Sequence, residues 1–208
     1  MHADAKTCFG NGFGDFCQEP TLIDGQIEWR SAAATSLDPE ILTTPATPFA
    51  PNGGVKLLEG NLGRSVIKTS AVQEQHHIVE APAVVIDDQD DLKPLFEAGE
   101  LDKDCVVVVR FQGPAANGMP ELHKLTPMLG VLQDRGHKVA LVTDGRMSGA
   151  SGKVPAAIHL VPEASQGGPL AKIQTGDVIR LDATTGELSA QILSLIHISE
   201  PTRRLCIS

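Results

Sequence analysis

Two strand-length runs, Cys105–Phe111 and Lys138–Thr143, are apolar at nearly every position, and each stops in a glycine-bearing loop: Gln112-Gly113-Pro114 after the first, Asp144-Gly145 after the second. A strand with no polar side must be covered on both faces, which requires an interior strand with further layers on either side of its sheet. The segments around them read the same way. Val55–Leu58, Ser65–Ser70, Ala156–Val161 and Lys138–Thr143 are strand-like, and His77–Ile86 is a strand whose Pro82 points to an edge or a bulge. Asp91–Ala98 fits a short helix stopped by Gly99. Pro120–Arg135 fits a longer one, with Pro in its first turn and Gly136 just past its end. Val178–Asp182 and Glu187–Ala190 form a hairpin around Ala183-Thr184-Thr185-Gly186. The expected class is mixed α/β, more β-rich than a doubly wound fold, with a barrel-like sheet core flanked by helices.

The ends of the chain look different. Residues 1–52 are weakly patterned, with Gly12, Gly14 and Gly25 followed by Pro39, Pro45, Pro48 and Pro51, and read as an irregular arm from a domain upstream. The regular domain is expected over 53–192. Residues 193–208, LSLIHISEPTRRLCIS, have no clear periodicity and follow a hairpin that already closes a domain; they read as a non-native tail.

Composition excludes several functions. The net charge of −9 gives no general attraction to nucleic acid or anionic membrane, and 3% aromatic residues leave little for stacking on bases. No apolar run reaches the roughly 18 residues that span a bilayer, and no signal-peptide order opens the chain. A cytoplasmic location is the expectation. Cys8, Cys17, Cys105 and Cys206 form no C-x-x-C pair and no Cys/His cluster, so a self-contained zinc or iron–sulfur site is not expected. Cys105 reads as a core residue and Cys8 and Cys17 as free thiols.

The segment with most chemical content runs from Lys138 to Ala164. Its strand ends in a turn of small residues, Gly145, Ser148, Gly149, Ala150, Ser151 and Gly152. Successive backbone N–H groups in such a turn can form an anion-binding nest, and Arg146 and Lys153 can add charge-assisted contacts to phosphate or carboxylate. Read only as residues, it is equally a turn that is glycine-rich for its geometry. In Phe111–Thr126, Glu121 is either a carboxylate placed for the positive end of a helix or a metal ligand or acid/base group. His123 and Lys124 read as helix surface. Gly60–Lys68 offers Asn61, Arg64 and Lys68 around a Gly-x-x-Gly turn, a weak signal by itself.

Four motifs together resemble the dihydroxy-acid/6-phosphogluconate dehydratase family: GNLGRSVIK from Gly60, VVRFQGPAANGMPELHKLT from Val108, TDGRMSGASGKVPAAIHLVPEA from Thr143 and GGPLAKIQTGDVIRLDA from Gly167. The likeness runs from about Thr7 to Ala190, and HKLTP, VLQDRG and GRMSGASGKVPAAIH look like the 6-phosphogluconate branch. The resemblance implies a swivelling β/β/α C-terminal domain packed on a larger N-terminal domain. It implies water elimination from 6-phospho-D-gluconate to 2-dehydro-3-deoxy-6-phosphogluconate in the Entner–Doudoroff route, in a homodimer. It also implies an iron–sulfur cluster, 4Fe-4S in kind, whose ligands belong to the N-terminal domain and match none of the cysteines here. Ser148 matches the proton-abstracting serine, and Glu121 a carboxylate that holds a divalent ion such as Mg2+ in the sister branch. Arg146, Lys153 and Lys68 are the candidate contacts to the sugar-acid phosphate. The other readings are a dihydroxy-acid or other sugar-acid dehydratase, and a substrate-binding module without catalysis.

Overall fold

The computed structural model describes residues 5–8, 10, 12, 16–33, 35–147 and 152–191. Two compact units divide the chain, Met1–Gly53 and Gly54–Ser208. The first contains an antiparallel hairpin of β1 (Gln18–Ile23) and β2 (Gln26–Ser31), so the expectation of little regular structure there is corrected. Its turn is Asp24-Gly25 with φ of 49° and 79°, the paired positive angles of a two-residue hairpin turn. The Asp-Gly signal was present in the sequence, masked by the prolines that follow it. The tail assigned to 193–208 lies outside the described residues.

The second unit is a closed eight-stranded barrel in the order β10-β3-β4-β8-β7-β6-β5-β9. Its strands are β3 (Val55–Gly60), β4 (Gly63–Lys68), β5 (Ile78–Ile86), β6 (Cys105–Val109), β7 (Val139–Thr143), β8 (Ala156–Val161), β9 (Val178–Asp182) and β10 (Glu187–Ala190). The helices are α1 (Leu92–Glu97), α2 (Pro114–Asn117) and α3 (Leu125–Asp134). Strands β5, β6, β7 and β8 run parallel to one another, and the other pairings are antiparallel except the short β10–β3 contact.

The apolar runs now have a physical reason. Along β6, Val106 and Val108 point into the barrel with Ile67, Val79, Val142 and Leu181. Cys105, Val107 and Val109 point outward, beneath Leu92 of α1 and Leu125, Leu129 and Leu132 of α3. Each side of the strand meets a different core, so alternation disappears. Alanines 81, 83, 140 and 157 keep the lumen small enough for side chains to fill it.

Closure rests on the Gly60-Asn61-Leu62-Gly63 turn. A Cβ at Gly60 would overlap the Leu188 carbonyl and one at Gly63 the Val161 carbonyl, so β10 and β8 approach as only glycine permits. Asn61 continues the ladder beyond β3: its Nδ2 donates to the Ala190 carbonyl at 2.9 Å and its Oδ1 accepts from the Ala190 N–H at 2.8 Å. Leu62 is fully buried. This motif therefore builds the barrel.

Two expectations change. Pro82 is not on an edge: β5 pairs with β9 over Ile78–Pro82 and with β6 from Ala83 onward, and Pro82 sits where one ladder hands over to the other. The helix expected over Pro120–Arg135 begins only at Leu125, with Pro127 in its first turn. Gly118 and Met119 adopt φ of 64° and 59°, which ends α2 and turns the following residues toward β7. The stop at Gly136 is as expected, with φ of 98°.

Candidate active site

The parallel strands β5, β6 and β7 end at one rim, and their following loops meet there. Ligand sites in α/β proteins favour this carboxyl end. The rim is braced by buried polar groups. Asp144, 1% exposed, accepts from the Gln112 N–H at 2.9 Å through Oδ1 and from the Ala164 N–H at 3.0 Å through Oδ2. One carboxylate thereby ties together the loops after β6, β7 and β8. Gln112 donates Nε2 to the Asp87 carbonyl at 2.6 Å and accepts from Asn117 Nδ2 at 3.1 Å. Glu163 accepts from the Ala115 N–H at 3.0 Å at the start of α2, lying where a Cβ on Gly113 would be. Arg110 binds Asp87 at 2.8 Å and donates to the Ala171 carbonyl at 3.0 Å, joining β5, β6 and the turn before β9.

The backbone is also under constraint here. Phe111, Met119 and His159 have φ of 60°, 59° and 56°. Non-glycine residues in this region cost on the order of 1 kcal/mol or more each, and such strain gathers where structure serves a site. His159 donates its N–H to the Gly145 carbonyl at 2.9 Å, which carries the β7–β8 pairing past the end of β7. Gly145 is packed against Gln112, with a built Cβ only 2.7 Å from that side chain's Cβ.

Within this frame Arg146 and Glu121 come together. Residues 121 and 146 form a parallel bridge, Arg146 Nη1 lies 3.0 Å from Glu121 Oε2, and Arg146 Nε donates to the Met119 carbonyl at 3.0 Å. The Glu121 side chain is 26% exposed and that of Arg146 48%. Glu121 is thus held beside β7 and not in the first turn of a helix, so the helix-dipole reading of it is corrected. The pair joins a hard oxygen donor to a fork of N–H donors suited to carboxylate or phosphate.

The lysines lie elsewhere. Lys153 precedes β8 and its Nζ is 2.5 Å from Asp134 Oδ1 at the end of α3. Lys68 ends β4, opposite Val55, and the neighbouring Ile67 pairs with Ala157 near the start of β8. Both sit toward the amino end of β8, away from the rim that carries Arg146. Ser148 lies outside the described residues. Arg64 pairs with Glu59 at 3.1 Å and Lys124 with Asp90 at 3.0 Å, both on the surface. Asp144, Gln112 and Glu163 were not singled out from sequence. Their signal was slight: each is a polar residue next to an apolar strand end, inside a motif already noted.

Cys105 is fully buried. Burial pushes its thiol up to about 11, with nearby Lys103 opposing and Asp104 reinforcing the shift. Cys8 and Cys17 are exposed. Among the described residues no group of three or more His, Cys, Asp or Glu is placed to hold a metal ion. No helix among them is long and apolar enough to cross a membrane.

The family described as dihydroxy-acid/6-phosphogluconate dehydratase C-terminal matches residues 40–199. The chain belongs to this family. The barrel is therefore the fold of this family's C-terminal domain. The phosphogluconate dehydratase of Pseudomonas aeruginosa is 60% identical over 188 residues, covering 90% of this chain and 31% of that protein. The phosphogluconate dehydratase of Escherichia coli K12 is 58% identical over 189 residues, covering 91% and 31%. A dihydroxy-acid dehydratase from Ruminiclostridium cellulolyticum is 36% identical over 159 residues, covering 74% and 28%. The chain spans about a third of the length of these relatives.

Proposed function

We propose that this chain forms one wall of the active site of a 6-phosphogluconate dehydratase, a hydro-lyase that removes water from 6-phospho-D-gluconate. The observation that carries the reading is the gap between 58–60% identity to two phosphogluconate dehydratases and 36% to a dihydroxy-acid dehydratase. The paired Arg146 and Glu121 at the carboxyl rim support it, because a phosphorylated sugar acid presents carboxylate and phosphate groups to a guanidinium.

In this proposal Arg146 orients an anionic group of the substrate. Ser148, one residue beyond Met147, takes the proton from the carbon beside the carboxylate. The hydroxyl on the next carbon leaves and takes up that proton to depart as water, which returns Ser148 to its starting state, and the resulting enol becomes the 2-keto product. A serine acts as base only where its alkoxide is stabilised, which the small-residue segment around it can provide through backbone N–H dipoles. The iron–sulfur cluster that the family implies does not fit the described residues. Cys105 is sealed beneath the helices, and among the described residues no cluster of carboxylates or imidazoles stands in for thiolates. Its ligands then belong to the part of the enzyme that this chain does not span. Glu121 suits Mg2+ chemically, and with Oε2 on Arg146 it supplies one ligand of a larger set. A swivelling domain packed on a larger partner domain, a homodimer and a cytoplasmic location complete the proposal.

The test compares the full-length enzyme with its Ser148→Ala variant, with iron measured in both. Loss of 6-phosphogluconate turnover with iron retained is the expected result, and this chain alone is expected to show none. Near-normal turnover in the variant removes Ser148 from catalysis. Turnover of a dihydroxy acid but not of 6-phosphogluconate by the iron-loaded parent overturns the substrate.

A further inference from the structure

Strand β8 carries an extra residue where it meets β4. Arg64 pairs with Val161 and Val66 with Ile158, so Ser65 stands opposite both His159 and Leu160. This is a β-bulge, and its effect follows from the two-residue period of a strand. Without it, residue 159 would share the lumen side with Ala157. The bulge hands that place to Leu160, which is fully buried in the lumen, and leaves His159 exposed.

The backbone of the bulge is satisfied. The hydroxyl of Ser65, a residue 1% exposed, donates to the Ile158 carbonyl at 2.7 Å. The His159 N–H donates to the Gly145 carbonyl at 2.9 Å. This second bond sets His159 against the residue that precedes Arg146, at the carboxyl rim where the parallel strands β7 and β8 end.

His159 holds φ of 56°, where a glycine is unstrained and a histidine is not. Among the described residues nothing offsets this cost. The residue is exposed, so it adds little packing, and its imidazole has no hydrogen-bond or ion-pair partner among them. A glycine would make the same backbone bonds with less strain. A costly side chain re-aimed by a bulge to a rim serves something outside the fold.

We infer that His159 is a substrate contact, its imidazole N–H donating to an anionic group, carboxylate or phosphate, of the acid that Arg146 orients. The inference rests on the dehydratase reading for the substrate and on the bulge for the placement. An imidazole and a guanidinium on adjoining strand ends supply donors to the oxygens of an acid with two anionic groups.

The test uses the full-length enzyme with His159→Gly and His159→Asn. Both residues accept a positive φ, so neither disturbs the bulge. KM for 6-phosphogluconate is expected to rise about tenfold in His159→Gly with kcat changed less than about twofold, and to rise less in His159→Asn, which keeps a donor. Inhibition by inorganic phosphate tells the two anions apart. With KM raised, weaker inhibition of His159→Gly assigns the contact to the phosphate, and unchanged inhibition assigns it to the carboxylate. Urea unfolding of the 208-residue chain controls for structure, and the midpoints of both variants are expected to stay at or above that of the parent. KM within about twofold of the parent in both variants overturns the inference, as does a fall in kcat with KM unchanged. A midpoint clearly lowered in both variants makes the histidine structural and also overturns it. If the iron-loaded parent turns over a dihydroxy acid and not 6-phosphogluconate, the proposed substrate fails, and KM for that acid decides His159 in the same way, because that acid also carries a carboxylate.

Discussion

Replacing Asp182 by asparagine tests how the barrel is closed. The Asp182 side chain is 2% exposed. Its Oδ1 accepts from the Thr184 N–H at 2.8 Å, the Thr184 hydroxyl at 2.5 Å and the Thr185 N–H at 3.0 Å, and its Oδ2 from Arg180 at 2.9 Å. These bonds shape the β9–β10 turn, whose Gly186 carbonyl accepts the Glu59 N–H at 2.8 Å and so joins β10 to β3. Burial pushes the carboxyl up, but the bonds from Thr184 and Thr185 outweigh it and hold it at about 2, against an ordinary 3.8. A depressed folded-state value stabilises the protein above the unfolded value and is lost as pH falls through the folded one. The difference corresponds to about 2 kcal/mol at pH 7, of which about half remains at pH 3. An asparagine cannot carry the charge, and its amide N–H group meets the Arg180 donor. Urea unfolding followed by circular dichroism is expected to show Asp182→Asn less stable by about 2 kcal/mol at pH 7, with the gap narrowing to about half by pH 3. A gap under about 0.5 kcal/mol at pH 7, or one that does not change with pH, would refute the reasoning.

Three further outcomes follow from the rim and the core. Asp144→Ala leaves the buried N–H groups of Gln112 and Ala164 without acceptors and is expected to cost about 2–4 kcal/mol in urea unfolding, together with loss of turnover in the full-length enzyme. Gly145→Ala places a Cβ 2.7 Å from that of Gln112 and 3.1 Å from Leu122 Cδ1, so a loss of about 1–3 kcal/mol is expected in the same assay. Cys105, with its thiol pushed up to about 11, is expected to resist a thiol-disulfide reagent at pH 8 until the chain is unfolded, while Cys8 and Cys17 react at once; mass mapping of the labelled peptides checks this.

Much of the fold was legible because its determinants are local. The runs Cys105–Val109 and Val139–Thr143 declare strands covered on both faces, Gly136 declares the end of α3, and Thr184-Thr185-Gly186 declares the last hairpin. Each follows from side-chain periodicity or from a backbone angle that few residues adopt. The β1–β2 hairpin was equally local in its Asp24-Gly25 turn, and was missed because the surrounding proline-rich composition pointed to an arm. The family motifs were legible for the same reason, as they are contiguous in the chain.

The arrangement of the candidate site was not local. The sequence determined that Glu121, Arg146 and Lys153 sit in motifs near glycine-rich loops, and it named them as candidates. Only the tertiary structure decided their grouping. Glu121 meets Arg146 because the chain after α2 turns back through Gly118 and Met119 to run beside the end of β7. Lys153 lies away from Arg146 because β7 and β8 are parallel, and Arg146 follows the carboxyl end of β7 while Lys153 precedes the amino end of β8. Periodicity records which side of a strand is apolar. It does not record which neighbour the strand chooses, and that choice separates a lysine near the site in sequence from one near it in space.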